Sequence, residues 1–331
     1  MRNDFSGYPE PLKNYAAYKL TVQNCSDKTV SEYLLDLRTF SRYLTLVRSG
    51  TDVNVQTMKE CDISGLDMDF YRAVTQDEIY SFITYAARDR GNSGASRSRK
   101  LSAIRGFFRY CTVKRNYMEI NPCANIESPK KKKQLPKFLS LDESVELLSA
   151  AKNDTESKYW QRDYCILTLF LNCGMRLSEL CGIDLSDIDR EKTSLRVVGK
   201  GSKERVVYLN SACRSAIEAY MPLRLATPCA PGNENALFIS RIGRRISVKT
   251  VQWMVKKYLG AAGLEYKHYS THKLRHTAAT LMYRSGEVDI RVLKDILGHE
   301  QLNTTQIYTH VSDEGMQEAM DHNPLTQVKI K

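Results

Sequence analysis

Residues 129–136 read Pro-Lys-Lys-Lys-Lys-Gln-Leu-Pro. Four adjacent like charges repel one another, and each proline fixes φ and removes a backbone donor. No packed element spans such a stretch, so it reads as an exposed linker. A chain of 331 residues is also longer than one core usually serves. Two folded parts are therefore expected: a helical domain over 1–128, the basic linker over 129–137, and a second domain over 138–331.

The first part patterns as four helices. One covers roughly 11–24, with Pro11 suited to a first helical turn. A second covers 28–48, where Val30, Tyr33, Leu34, Leu37, Phe40 and Leu44 recur at helical spacing and Gly50 follows. Residues 51–74 break that period and read as an irregular insertion. Thr75-x-x-Glu78 is a capping box opening a third helix that ends at Gly91. The fourth runs from Ala95 to Lys114, with Leu101, Ile104, Phe107, Phe108 and Cys111 on its buried face. Asn121-Pro122 stops the pattern.

The second part is mixed. Ser140-x-x-Glu143 is another capping box, and 159–174 is an apolar helix. Residues 194–198 and 204–209 alternate as strands around Gly199-Lys200-Gly201-Ser202-Lys203, a glycine-bearing hairpin. Helices follow at 210–225, 247–261, 272–285 and 287–297. The fold class expected is mainly α with one small β-sheet.

Charge limits the partners. The net charge is +11, which favours polyanions, nucleic acid first and an anionic membrane surface second. Residues 88–133 hold thirteen basic side chains against three acidic ones. Arg97, Arg105 and Arg109 share one arc of the fourth helix, away from its apolar stripe. Together with Lys130, Lys131, Lys132 and Lys133 they are the candidate contacts to a nucleic-acid phosphate backbone. No apolar run approaches the roughly 20 residues needed to cross a bilayer. The N-terminus lacks the basic-then-apolar pattern of a signal peptide. A cytoplasmic protein is expected. The nine cysteines include no CxxC, and several fall on apolar helical faces, so they read as reduced core residues.

All six histidines lie between 268 and 322. His272 and His276 are four apart on a helix, but Lys273 stands where a zinc protease needs glutamate, and a lysine and an arginine there repel a cation. No metal site is expected. No G-x-S-x-G, P-loop or dinucleotide fingerprint occurs, so no cofactor is expected either. Metal-free phosphoryl transfer fits better. A phosphodiester's transition state gathers negative charge, which fixed arginines and histidine donors can stabilise. Two guanidinium forks can grip both non-bridging oxygens. The leaving 5′ oxygen needs an acid, and a tyrosine can hold the phosphate covalently. Arg176, Lys200, His272, Arg275, His299 and Tyr308 supply every part.

These residues carry a resemblance. Gly174-Met-Arg176-Leu-Ser-Glu-Leu180 resembles the first arginine box of the tyrosine recombinase (phage integrase) family. Gly199-Lys200-Gly-Ser-Lys-Glu-Arg205 resembles its hairpin lysine segment, and His272-Lys-Leu-Arg275-His276 its H-x-x-R box. Leu297-Gly-His299, with Tyr308 nine residues on, resembles its last histidine and nucleophile. The match spans about 140–322 and is most similar to the bacterial Xer recombinases; the N-terminal half resembles the family's four-helix core-binding domain more loosely.

The resemblance implies a C-shaped clamp on duplex DNA. It implies that Tyr308 attacks to give a 3′-phosphotyrosine, with Arg176 and Arg275 on the phosphate oxygens. Lys200 is then the acid, His272 the base for Tyr308, and His299 a transition-state donor. Glu179 reads as an orienter of Arg176, His276 as facing the core or holding a neighbour by a hydrogen bond, and His310 as a packing residue. Implied partners are an inverted-repeat DNA site and a tetramer with itself or a paralogous recombinase, docked through a helix near Ser312–Met320. A DNA translocase of the FtsK type is left open as a further partner. Resolution of chromosome dimers is the expected role. Integration of a phage or mobile element, a type IB topoisomerase and a non-catalytic DNA-binding protein are the alternatives.

Overall fold

The computed structural model describes residues 5–128, 137–199, 203–267, 269–286 and 288–298. The chain divides into two compact units, Met1–Lys133 and Gln134–Lys331.

The first unit is built on four longer helices: α1 (Glu10–Thr21), α2 (Asp27–Arg48), α5 (Gln76–Arg88) and α6 (Gly94–Arg109). Between α2 and α5 lie two short ones, α3 (Val55–Glu60) and α4 (Met68–Arg72). This corrects the reading of 51–74 as irregular. Each short helix is held by its cap rather than by an apolar stripe. The Asn54 side chain accepts from the Gln56 and Thr57 N–H groups, and Asp67 accepts from that of Phe70. A helix of five or six residues shows too little period to detect. It still buries one anchor, Met58 or Tyr71. The Tyr71 hydroxyl lies 2.9 Å from that of Ser41.

α2 and α6 form the centre of this unit. Leu34, Leu37, Phe40 and Leu44 meet Leu101, Ile104, Phe107 and Phe108, all almost fully buried. Asp36, 1% exposed, would be costly there alone. Arg99 at 2.7 Å and Lys100 at 2.9 Å compensate it. α6 ends at Arg109, five residues before the expected end, and continues as a π-helical turn, Tyr110–Lys114. There the Arg115 N–H reaches back to the Tyr110 carbonyl at 3.1 Å. The wider turn keeps Tyr110 and Cys111 buried.

In the second unit, α8 (Trp160–Cys173) is apolar around most of its circumference and sits at the centre. It packs against α7 (Leu141–Lys152), α10 (Ser211–Ala226) and α12 (Thr271–Arg284). α11 (Val248–Ala261) covers α7 and the short α9 (Leu177–Gly182). The one sheet among the described residues is the antiparallel pair β1 (Ser194–Val198) and β2 (Glu204–Tyr208), in register Val197↔Arg205. α13 (Ile290–Leu297) packs on α12. All nine cysteines are free thiols, with Cys173 and Cys213 3.6 Å apart between sulfurs.

Candidate active site

α8 stops at Gly174, which has φ +58°. Only glycine takes that left-handed turn without strain. It also lets another helix approach, because a Cβ there would lie 2.8 Å from Leu297 Cδ2. The chain then turns at Met175 and starts α9, with Arg176 as the residue before its first turn.

Three residues into that segment is Glu179, 2% exposed. Its carboxylate accepts from the Arg176 backbone N–H at 2.8 Å and from Arg176 Nη1 at 2.7 Å. Arg205 Nη2, from β2, donates at 2.9 Å, and Arg275 Nη1, from α12, lies 4.0 Å away. Burial pushes the Glu179 carboxyl up. The backbone donor and the Arg205 and Arg176 charges outweigh it, and the pKa lies below the usual glutamate value. Glu179 is therefore a fixed anion that gathers three arginines from three elements.

The same guanidinium groups face the C-terminal end of α13. Arg205 Nη1 donates to the Ile296 carbonyl at 2.7 Å, Arg275 Nη2 to Leu297 at 2.6 Å and Arg176 Nη2 to Gly298 at 2.8 Å. Arg275 also donates through Nη1 to the Gly174 carbonyl at 2.7 Å. A helix C-terminus presents unsatisfied carbonyls and partial negative charge, and the three guanidinium groups satisfy both.

His272 is on the first turn of α12, one turn before Arg275 and His276. Its Nε2 lies 3.1 Å from His276 Nε2, so at least one ring is neutral. Partial burial, then Arg275, Lys273 and Arg176, lower the His272 pKa from 6.5. The ring is thereby kept in its proton-accepting form at neutral pH.

The structure thus brings Arg176, His272 and Arg275 into one region. Lys200, His299 and Tyr308 lie outside the described residues, as do His310 and the Ser312–Met320 segment. β1 and β2 are joined beyond their ends by the Gly199 N–H, which donates to the Lys203 carbonyl at 2.7 Å. Sequence reasoning had not singled out Arg205. Its only sequence signal was its place in the Gly199–Arg205 segment.

On the helical unit the three arginines fare differently. Arg109 is exposed, and Arg97 half-buried. Arg105 is committed within the unit: it donates to the Ser128 hydroxyl at 2.6 Å and to the Ile126 carbonyl. Beside Arg109 opens a cavity of about 350 Å³. Tyr15, Tyr18, Lys19, Tyr110 and Lys114 line it, with no carboxylate among the described residues. Lys130–Lys133 lie outside the described residues.

The family model described as the phage integrase family matches residues 137–315. Tyrosine recombinase XerC of Caldanaerobacter subterraneus subsp. tengcongensis is 44% identical over 97% of this chain and 88% of its own. Tyrosine recombinase XerC of Myxococcus xanthus is 35% identical over 94% and 96%. A XerH site-specific recombinase, solved bound to a palindromic difH substrate in a post-cleavage complex, shares the fold. Its TM-score is 0.68 at 22% identity, covering 97% of this chain and 98% of that one. The chain belongs to the phage integrase family. Within that family it is a site-specific tyrosine recombinase of the Xer type, an enzyme that transfers DNA strands.

Proposed function

We propose that Tyr308 attacks a DNA phosphodiester, forming a Tyr308 Oη–phosphorus bond as the bond to the 5′ oxygen breaks. His272 takes the tyrosine proton, and Lys200 protonates the leaving 5′ oxygen. Arg176 and Arg275 turn from the carbonyls at the end of α13 to hold the non-bridging oxygens, and His299 donates to the developing charge. The phosphotyrosyl bond conserves the energy of the broken one, and a 5′-hydroxyl from another strand reverses the step. The observation that carries this reading is the convergence of Arg176 and Arg275 on Glu179 at the end of α13, two residues before His299 in the chain. Preorganised donors of this kind are what a metal-free transition state requires.

The helical unit, in this reading, contacts the DNA backbone through Arg97, Arg109 and the Lys130–Lys133 linker. The acid-free, tyrosine-lined cavity beside Arg109 adds Lys19 and Lys114 to that surface. Arg105 is left out of it, because it ties the chain at Ile126 and Ser128 back onto α6. The substrate is a chromosomal inverted-repeat site in the cytoplasm. The assembly is a tetramer on two duplexes, of this chain alone or with a paralogue, and the task is resolution of chromosome dimers. A translocase of the FtsK type is a candidate activator.

A nicked suicide substrate tests the core of the proposal. Wild-type protein should accumulate a covalent adduct, and Tyr308→Phe should form none while binding the site normally. An adduct from Tyr308→Phe would assign the nucleophile elsewhere.

A further inference from the structure

We infer that Arg205 is a positioning residue for strand cleavage, tying Glu179 to the last turn of α13 and so holding that turn against Arg176 and Arg275. The inference rests on the reading of Arg176 and Arg275 as the phosphate-binding pair. Arg205 itself touches neither substrate nor nucleophile.

The geometry is specific. Arg205 enters from β2, and its two terminal nitrogens go to different elements: Nη2 to Glu179 Oε2 at 2.9 Å and Nη1 to the Ile296 carbonyl at 2.7 Å. A planar fork spans two acceptors at a fixed angle, which a lysine ammonium does not. Its side chain is 16% exposed, so water competes poorly for either bond. Three successive carbonyls, 296, 297 and 298, each receive a different arginine. Two of those arginines are the proposed phosphate ligands; Arg205 is the third. It is therefore the member whose contacts remain available to hold α13 when a phosphate draws on the other two.

Gly298 gives independent support. It ends α13 with φ +62°, and a Cβ there would lie 2.8 Å from Arg205 Cδ and 2.9 Å from Arg205 Nε. The path of the Arg205 side chain thus runs directly against the backbone that leads to His299 in the chain. A misplacement of about 1 Å in such a site can cost about 10²-fold in rate.

The test is single-turnover cleavage on the suicide substrate, with DNA affinity measured in parallel. Arg205→Ala should cleave about 10²-fold more slowly with site affinity unchanged. Arg205→Lys, which keeps the charge and is the variant to use if the alanine protein unfolds, should be impaired as well. Gly298→Ala should also be slow. The double variant Arg205→Ala/Gly298→Ala should lose less than the product of the two single losses, because removing Arg205 removes the group the new Cβ meets. Wild-type cleavage by Arg205→Lys would overturn the inference, as would parallel loss of affinity and cleavage, or full additivity with Gly298→Ala. Rescue of Arg205→Ala by a 5′-bridging sulfur would also overturn it, because Arg205 would then serve delivery of the leaving-group proton. Failure of the wild type to form any adduct would instead remove the underlying reading, and this inference with it.

Discussion

Arg176 and His272 show how the same fold sets the environment of two polar side chains. Arg176 has one guanidinium edge committed to Glu179 and the Gly298 carbonyl, and its side chain remains 36% exposed. That leaves N–H groups to face a phosphate. Arg176→Lys keeps the charge and loses the fork, so cleavage should fall by about 10²-fold while DNA binding is retained. Equal losses in a gel-shift and a cleavage assay would make Arg176 an ordinary backbone contact. For His272 the shift is downward from 6.5, so its neutral form persists into more acidic solution than a free imidazole's. In the DNA-free protein its NMR titration midpoint should lie below 6.5. In Arg275→Ala, which removes the largest nearby charge, it should move back up. A midpoint above that of a free histidine would contradict the role of base at neutral pH. Lys200 has its own signature: a 5′-bridging sulfur needs no proton to leave, so it should rescue Lys200→Ala and leave Arg275→Ala impaired.

At the scale of elements, the active region depends on how closely α8 and α13 approach. Gly174 is the contact point, since a Cβ there would meet Leu297 Cδ2 at 2.8 Å and the backbone has φ +58°. Gly174→Ala combines left-handed strain with a forced separation of the helices. It should lower stability by about 1–3 kcal/mol, read as a shift in denaturant midpoint, and slow cleavage. Normal cleavage at unchanged stability would show that the helices tolerate the displacement. Glu179 works at the same scale. Its depressed pKa means it contributes stability in the ionised form. That contribution is present above the ordinary glutamate pKa and is lost as pH falls through the lower folded value. Glu179→Gln leaves Arg176, Arg205 and Arg275 short of their counter-charge and should lower the denaturant midpoint by the equivalent of about 3–5 kcal/mol.

For the whole molecule, the proposed basic contacts to DNA make a prediction about salt. Each phosphate contact removed should reduce the salt slope of binding by about one. Arg109→Ala should therefore flatten the dependence of log K on log salt by about that amount without relaxing sequence preference. Arg105→Ala should change the slope little and lower stability instead, because Arg105 holds Ile126 and Ser128. Assembly is tested by truncation after Val311. Single-site binding should survive, and the synaptic tetramer and most cleavage should be lost; tetramers from the truncated protein would place the trans contact elsewhere.

What the sequence determined by itself is local. The capping boxes at Thr75–Glu78 and Ser140–Glu143 are present as read, because cap bonds join residues three apart. The long apolar helices follow for the same reason, as does the hairpin around Gly199. The order and spacing of Arg176, His272, Arg275 and Tyr308 carried the resemblance to the family, since each box is a short segment. The short α3 and α4, the π-turn after Arg109 and the commitment of Arg105 were not legible. Each depends on caps or partners that carry no period. The hub at Glu179 was legible only in part: its link to Arg176 is three residues long, but its links to Arg205 and Arg275 cross between elements. The bond from Arg176 to Gly298 joins residues 122 apart. Such a bond exists only once α8, α12 and α13 have packed and burial has removed water as a competing partner. Tertiary structure alone therefore decided that three arginines share one carboxylate and one helix end.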